Sequence, residues 1–190
     1  MNMIKTALLI PLLVLTGCAL SPQTVTIMPD IKVANANNDQ QQKTIQIGVN
    51  DARANKIIGT RGGIYADTSA ITADADITQS VRNSLTAAYR VLGYNVLNSG
   101  ANVQIIVDIT DLKYNATGET TIRAVDTAAA LKATCQSGTY VVTNEYRITD
   151  KADVLKPPTV GENQDYINET LSSTLQRLVN DASILDCINR

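Results

Sequence analysis

The stretch Val103–Asn115, VQIIVDITDLKYN, alternates apolar and polar residues and then slips. Val103, Ile105, Val107 and Ile109 share one parity, whereas Leu112 and Tyr114 take the other. Alternation with a period of two marks a strand with one buried face, because successive side chains of an extended chain point to opposite sides. A parity switch without a break predicts one extra residue, a β-bulge near Thr110. Asp108 and Asp111 then face opposite sides unless the bulge realigns them, and they read as solvated strand charges rather than a catalytic pair.

The segments on either side extend this strand into a sheet. Downstream, NATGE (115–119) predicts a hairpin turn and a strand follows over about 120–135. That strand carries AAALKATC, whose small residues leave room for a close-packed helix. QSG (136–138) turns the chain again, after which Tyr140, Val142, Tyr146 and Ile148 alternate with polar residues. Upstream, Ile77, Val81, Leu85, Ala88 and Leu92 recur at helical spacing, with Asp76 to cap the start and Gly93 the end. Tyr94–Leu97 re-enters the sheet, and Ile45, Ile47 and Val49 form a shorter strand. Val25, Ile27, Ile31 and Val33 surround Pro29 in an extended, edge-like segment. After Pro157-Pro158, Ile167, Leu171, Leu175, Leu178 and Ala182 repeat the helical spacing, and Ile184–Asn189 adds a turn carrying Cys187. Hairpins joining long alternating strands predict an α+β fold, a two-layer sandwich of a mainly antiparallel sheet with two amphipathic helices on one face.

Composition narrows the chemistry. The 190 residues carry a formal charge of −2 and contain no histidine, tryptophan or phenylalanine. Histidine-based triads and histidine metal sites are therefore excluded, and no basic field exists to attract nucleic acid. The sequence contains no Gly-x-Ser-x-Gly elbow, and neither Cys135 nor Cys187 lies in a Cys-x-x-Cys. The reading is non-enzymatic, with no catalytic residue, metal ligand or cofactor assigned.

The first residues give an address. Lys5 precedes an uncharged run from Ala7 to Leu15, too short to span a bilayer, and the run ends in Leu15-Thr16-Gly17-Cys18. That ending looks like a bacterial lipobox, in which small residues fit the peptidase groove and the cysteine thiol takes a diacylglyceryl group. Residues 1–17 are then a cleaved signal, 18–43 the lipid anchor and a flexible N-terminal segment that includes ANANNDQQQK, and 44–190 one periplasmic domain. Ala19 stands where, in lipoproteins of enteric type, an aspartate would retain the protein in the inner membrane. By resemblance to that class the address is the periplasmic leaflet of the outer membrane. In that oxidising compartment Cys135 and Cys187 form either a disulfide or two separately buried thiols.

The lipobox, IQIGVNDAR, LTAAYRVLGYNV, VQIIVDITDLKYN and the closing amphipathic helix together resemble the YajG family of bacterial lipoproteins. The resemblance implies an outer-membrane-anchored periplasmic domain of this size, without catalytic residues to transfer. It carries the lipidated cysteine to Cys18 and an Asp-x-Arg after the first strand to Asp51 and Arg53. Cys135 and Cys187 are not part of the family's pattern.

One loop has the composition of a binding site. Val49–Gly63, VNDARANKIIGTRGG, combines Asp51, Arg53, Lys56 and Arg61 with three glycines. Backbone amides and an arginine fork can hold a carboxylate or phosphate, although no Gly-Lys-Ser/Thr follows to make a P-loop. The other reading is a turn at Asp51 with Arg53 tied to a carboxylate. Beside a hydrolase, for which the usual base, nucleophile elbow and metal ligands are missing, two functions remain open: a tethered module that binds an envelope protein through a sheet edge or this loop, and a small-ligand or peptidoglycan-fragment binder using Arg53, Arg61 and exposed tyrosines.

Overall fold

Strand β6, Val103–Thr117, is the axis of the sheet, and its two edges are used differently. The structure, a computed structural model, describes residues 20–33, 43–62, 68–118 and 124–190. Along one edge β6 pairs antiparallel with β7 (Ala124–Ser137), which pairs antiparallel with β8 (Tyr140–Asp153). The other edge is shared. Strand β2 (Thr44–Asp51) runs parallel along Val103–Ile109, and β3 (Gly59–Thr60) runs parallel at Tyr114 and Asn115. Beyond β2 lies β5 (Asn95–Leu97), and beyond β3 lie β4 (Ala70–Ala73) and the edge strand β1 (Gln23–Val25).

The α+β class stands, and the sheet is mixed. The β6–β7–β8 meander is antiparallel, β7 and β8 being joined by a two-residue turn, while β2 is parallel to both β5 and β6. Parallel neighbours need a long crossover, and α1 (Ile77–Val91) lies within the connection from β2 to β5 and β6. Alternation identifies a strand but not its partner, so these parallel pairings had no sequence signal.

The bulge is present. The β6–β7 register slips between Ile109 and Asp111, leaving Thr110 unpaired, so Ile109 and Leu112 are both buried. The same slip turns Asp108 and Asp111 to one face, the face opposite the buried side chains.

Among the described residues three helices complete the core where two were expected. In α1 the Asp76 side chain accepts the Thr78 amide, and Gly93 leaves the helix with φ 95°. Helix α2 (Val160–Val179) begins with a reciprocal capping box between Thr159 and Glu162 and buries Ile167, Leu171, Leu175 and Leu178. Asp181 then caps a separate α3, Ala182–Asn189, rather than letting α2 run on, because its side chain accepts the amides of Ser183 and Ile184. Cys187 of α3 is disulfide-bonded to Cys135 of β7, with Cα atoms 6.3 Å apart.

The N-terminal segment is stitched to α2. The amides of Thr26, Met28 and Asp30 donate to Gln164 Oε1, Asn168 Oδ1 and Ser172 Oγ, each at 2.9 Å. These acceptors recur every four residues on one helix face, while alternate amides of an extended chain point one way. The fold therefore takes in residues 20–33, N-terminal to the expected boundary at 44. The stretch 51–63 is not a loop throughout, since it contains β3. The turn after β6 begins later than NATGE suggested, for the strand continues to Thr117 and Gly118 follows at φ 127°. Leu15, Thr16, Gly17, Cys18, Gly63 and most of the 34–43 connection lie outside the described residues.

Candidate functional site

Between the end of β2 and the start of β3, the edge of β6 is bare across its bulge, and the chain from Arg53 to Ile58 arcs away from it. A groove of about 690 Å³ opens there, lined by Arg53, Asn55, Thr110, Lys113, Ala130 and Arg147 among others. The bulge forms part of its wall. A second hollow of about 480 Å³ shares Lys113 and Asn115 with the first and continues over Ala128 to Thr149 and Lys151.

The floor of each hollow includes a β7 alanine, Ala130 in the first and Ala128 in the second. On β7, Ala128 stands opposite Lys113 and Thr149, and Ala130 opposite Asp111 and Arg147. Small side chains between two rows of long ones leave a furrow along β7. Ala129 and Ala133, of the opposite parity, are fully buried in the core. The alanine run therefore leaves room on both faces, not only for a helix. The walls carry charge of both signs, with Asp111 accepting from Lys113 Nζ at 3.0 Å and from Arg147 Nη1 at 3.4 Å.

A tight knot of charge closes the upper end. Arg53 Nε and Nη2 donate to the two oxygens of Asp51 at 2.9 and 3.0 Å, and the Arg53 amide donates to Oδ1 at 3.2 Å. Lys56 Nζ adds bonds to Asp51 Oδ2 at 3.0 Å and to its carbonyl at 2.9 Å. The Arg53 side chain is only 5% exposed, and its Nη1 is buried without a partner among the described residues. Burial by itself raises the Asp51 pKa, but the hydrogen bonds from Arg53 and Lys56 outweigh it and hold the carboxyl down at about 2.

Of the residues expected to form a loop site, Asp51 and Arg53 meet and Arg61 does not join them. Strand β3 carries Arg61 away, where its Nη1 donates to the Ser21 carbonyl at 3.1 Å and its amide to the Ser69 carbonyl at 2.9 Å. The Asp51–Arg53 pair is the turn-and-tie arrangement. Gly59 serves packing, since a Cβ there would lie 1.8 Å from the Tyr114 carbonyl oxygen. Lys113, Arg147 and the alanine floor were not singled out in the sequence. Their signal was present in the polar parity of three neighbouring strands, but it becomes readable only once the register is known. Among the described residues no group of three histidine, cysteine or acidic side chains could hold a metal ion, and no helix is long and apolar enough to cross a membrane.

A family model described as an uncharacterised lipoprotein matches residues 29–189. No curated protein matches the chain. Among solved structures, a Xanthomonas campestris protein is similar at 13% identity and a TM-score of 0.54, over 85% of this chain and 92% of that one, a likeness of fold alone. A minor lipoprotein from Acinetobacter baumannii aligns at 10% identity and a TM-score of 0.40, over 78% of this chain and 92% of that one. The rare lipoprotein B from Shewanella oneidensis aligns at 10% identity and a TM-score of 0.38, over 76% and 93%.

Proposed function

Because the chain belongs to this YajG-like family of uncharacterised lipoproteins, we propose that it is a lipid-tethered, non-enzymatic module that binds an envelope protein through the furrow on its sheet. The lipid is on Cys18, and the address is the periplasmic leaflet of the outer membrane. Leu15-Thr16-Gly17-Cys18 and the following Ala19 support both. Dual or triple acylation holds firmly where a single chain holds weakly. Confinement to one surface raises the effective concentration of any neighbouring partner.

The observation that carries the contact surface is the alanine floor at Ala128 and Ala130 between charged walls. An extended or looped segment of a partner fits such a furrow, with its own charges meeting Lys113, Arg147, Lys151 or Asp111. The test is a photo-crosslinking residue placed at Thr149, inside the furrow, or at Arg82, exposed on α1, in intact cells. The reading expects a discrete adduct with another protein, distinct in mass from a cross-linked dimer of the chain, from position 149, none from position 82, and loss of that adduct when Ala130→Arg fills the floor. Equal adducts from both positions, or none, contradict it.

The buried, unpartnered Nη1 of Arg53 beside the groove favours a second reading, capture of a small anionic ligand such as a peptidoglycan fragment. Calorimetric titration with muropeptides distinguishes it. Binding that falls at least tenfold in Lys113→Ala/Arg147→Ala supports this reading, and no heat of binding to the unaltered protein ends it.

A further inference from the structure

Among the described residues strand β8 pairs with β7 alone, so the other edge of this 14-residue strand carries no strand. We infer that this edge is a dimerisation surface, on which a second copy of the chain adds its own β8 antiparallel across a two-fold axis at Tyr146. The inference rests on the sheet alone and does not need the furrow reading.

The hairpin fixes which residues present backbone groups at that edge. Ser137 and Tyr140 face each other across the two-residue turn Gly138-Thr139, with Gly138 at φ 59°. A two-residue turn closes on a hydrogen-bonded pair, so Tyr140, Val142, Asn144 and Tyr146 direct their N–H and C=O groups to β7. Thr143, Glu145, Arg147 and Thr149 direct theirs outward. Consistent with this, the Arg147 carbonyl is free of β7 and accepts Arg177 Nη1 of α2 at 3.4 Å, a bond that an added strand displaces.

Charge then selects the register. With the axis at Tyr146, Glu145 of each copy stands opposite Arg147 of the other, and Thr143 stands opposite Thr149. Moving the axis by one residue sets Glu145 against Glu145 or Arg147 against Arg147, which like charges disfavour. The rows of the sheet already alternate toward this edge. Asp108 stands opposite Lys132, and Lys132 opposite Glu145, so Arg147 of a second copy continues the series. Open edges in monomers are ordinarily blunted by proline, bulges, charged side chains or a covering helix or loop, and here the charges at Glu145 and Arg147 are of opposite sign and pair across the two-fold axis. Strand β8 contains no proline and pairs with β7 without a slip, and its one lysine, Lys151, lies near the end.

Sedimentation velocity of the detergent-solubilised full chain tests this. The expected result is a concentration-dependent dimer, a monomer for Glu145→Arg, and a dimer again for Glu145→Arg/Arg147→Glu. A second measurement mixes Thr143→Cys and Thr149→Cys proteins under mild oxidation, and a disulfide-linked dimer should form from the mixture far more than from either alone. An unaltered protein that stays monomeric at all concentrations overturns the inference. So does a dimer indifferent to Glu145→Arg, or equal cross-linking of each cysteine variant by itself.

Discussion

The carbonyl oxygen of Tyr114 occupies the space beside Gly59 that a β-carbon would need, at 1.8 Å. This approach lets a two-residue strand take over the edge of β6 after β2 has left it, which opens the groove between them. Gly59→Ala must push β3 away from β6, and overpacking of this kind costs about 2–3 kcal/mol. Gly161→Ala, whose Cβ meets nothing within 4 Å, is the control. In the first turn of α2 it is expected to be neutral or to stabilise by up to about 1 kcal/mol. Urea denaturation midpoints check both.

Asp51 and Arg53 are expected to stand or fall together. Asp51→Ala leaves a nearly buried guanidinium without its carboxylate and should cost about 3 kcal/mol at neutral pH. The pH dependence follows from the direction of the shift. The folded-state pKa of Asp51, about 2, lies below its ordinary 3.8, so the group's contribution is complete above about pH 4 and is lost as pH falls through 2. Asp181, held to about 2 because bonds from Ser183, Tyr146 and Asn144 outweigh its burial, adds to the same window. Urea midpoints at pH 7, 4 and 2.5 should fall steeply only at the last, and less steeply in Asp51→Asn.

The disulfide between Cys135 and Cys187 spans a sequence separation of 52. Closing a loop of that size restricts the unfolded chain and is worth about 4 kcal/mol in the chain-entropy model. Alkylation without reductant, read by mass spectrometry, should leave both cysteines unmodified, and Cys135→Ala/Cys187→Ala should unfold at a clearly lower temperature. Two alkylated cysteines in the untreated protein contradict the bond.

Asn168 holds the N-terminal segment from both sides, accepting from the Met28 amide and donating to the Thr26 carbonyl, each at 2.9 Å. Asn168→Ala removes both bonds at a local cost of about 1–2 kcal/mol, roughly tenfold in amide exchange. Faster exchange confined to residues 26–30 is the expected outcome. Unchanged protection there means the stitching to α2 does not hold the segment.

Long periodic elements were legible in the sequence because their signal is local. The faces of α1 and α2, the meander strands and the bulge at Thr110 follow from spacing alone, and the parity slip located the bulge near its observed position. Strands β3 and β4 were not legible, because two to four residues carry no readable period. The same omission misplaced Arg61, which β3 carries away from Arg53 to the Ser21 carbonyl. The furrow depends on Ala128 and Ala130 standing between Lys113, Asp111, Thr149 and Arg147, a relation of register among three strands. Composition supplied the residues, and only the paired sheet brought them into one surface.

The claim on which the proposed function rests is the lipid on Cys18. Growth of cells with radiolabelled palmitate, followed by isolation of the protein and membrane fractionation, tests it directly. The account predicts label in the unaltered chain, none in Cys18→Ser, and loss of that variant from the outer-membrane fraction. An unlabelled native chain, or a serine variant that still fractionates with the outer membrane, contradicts it.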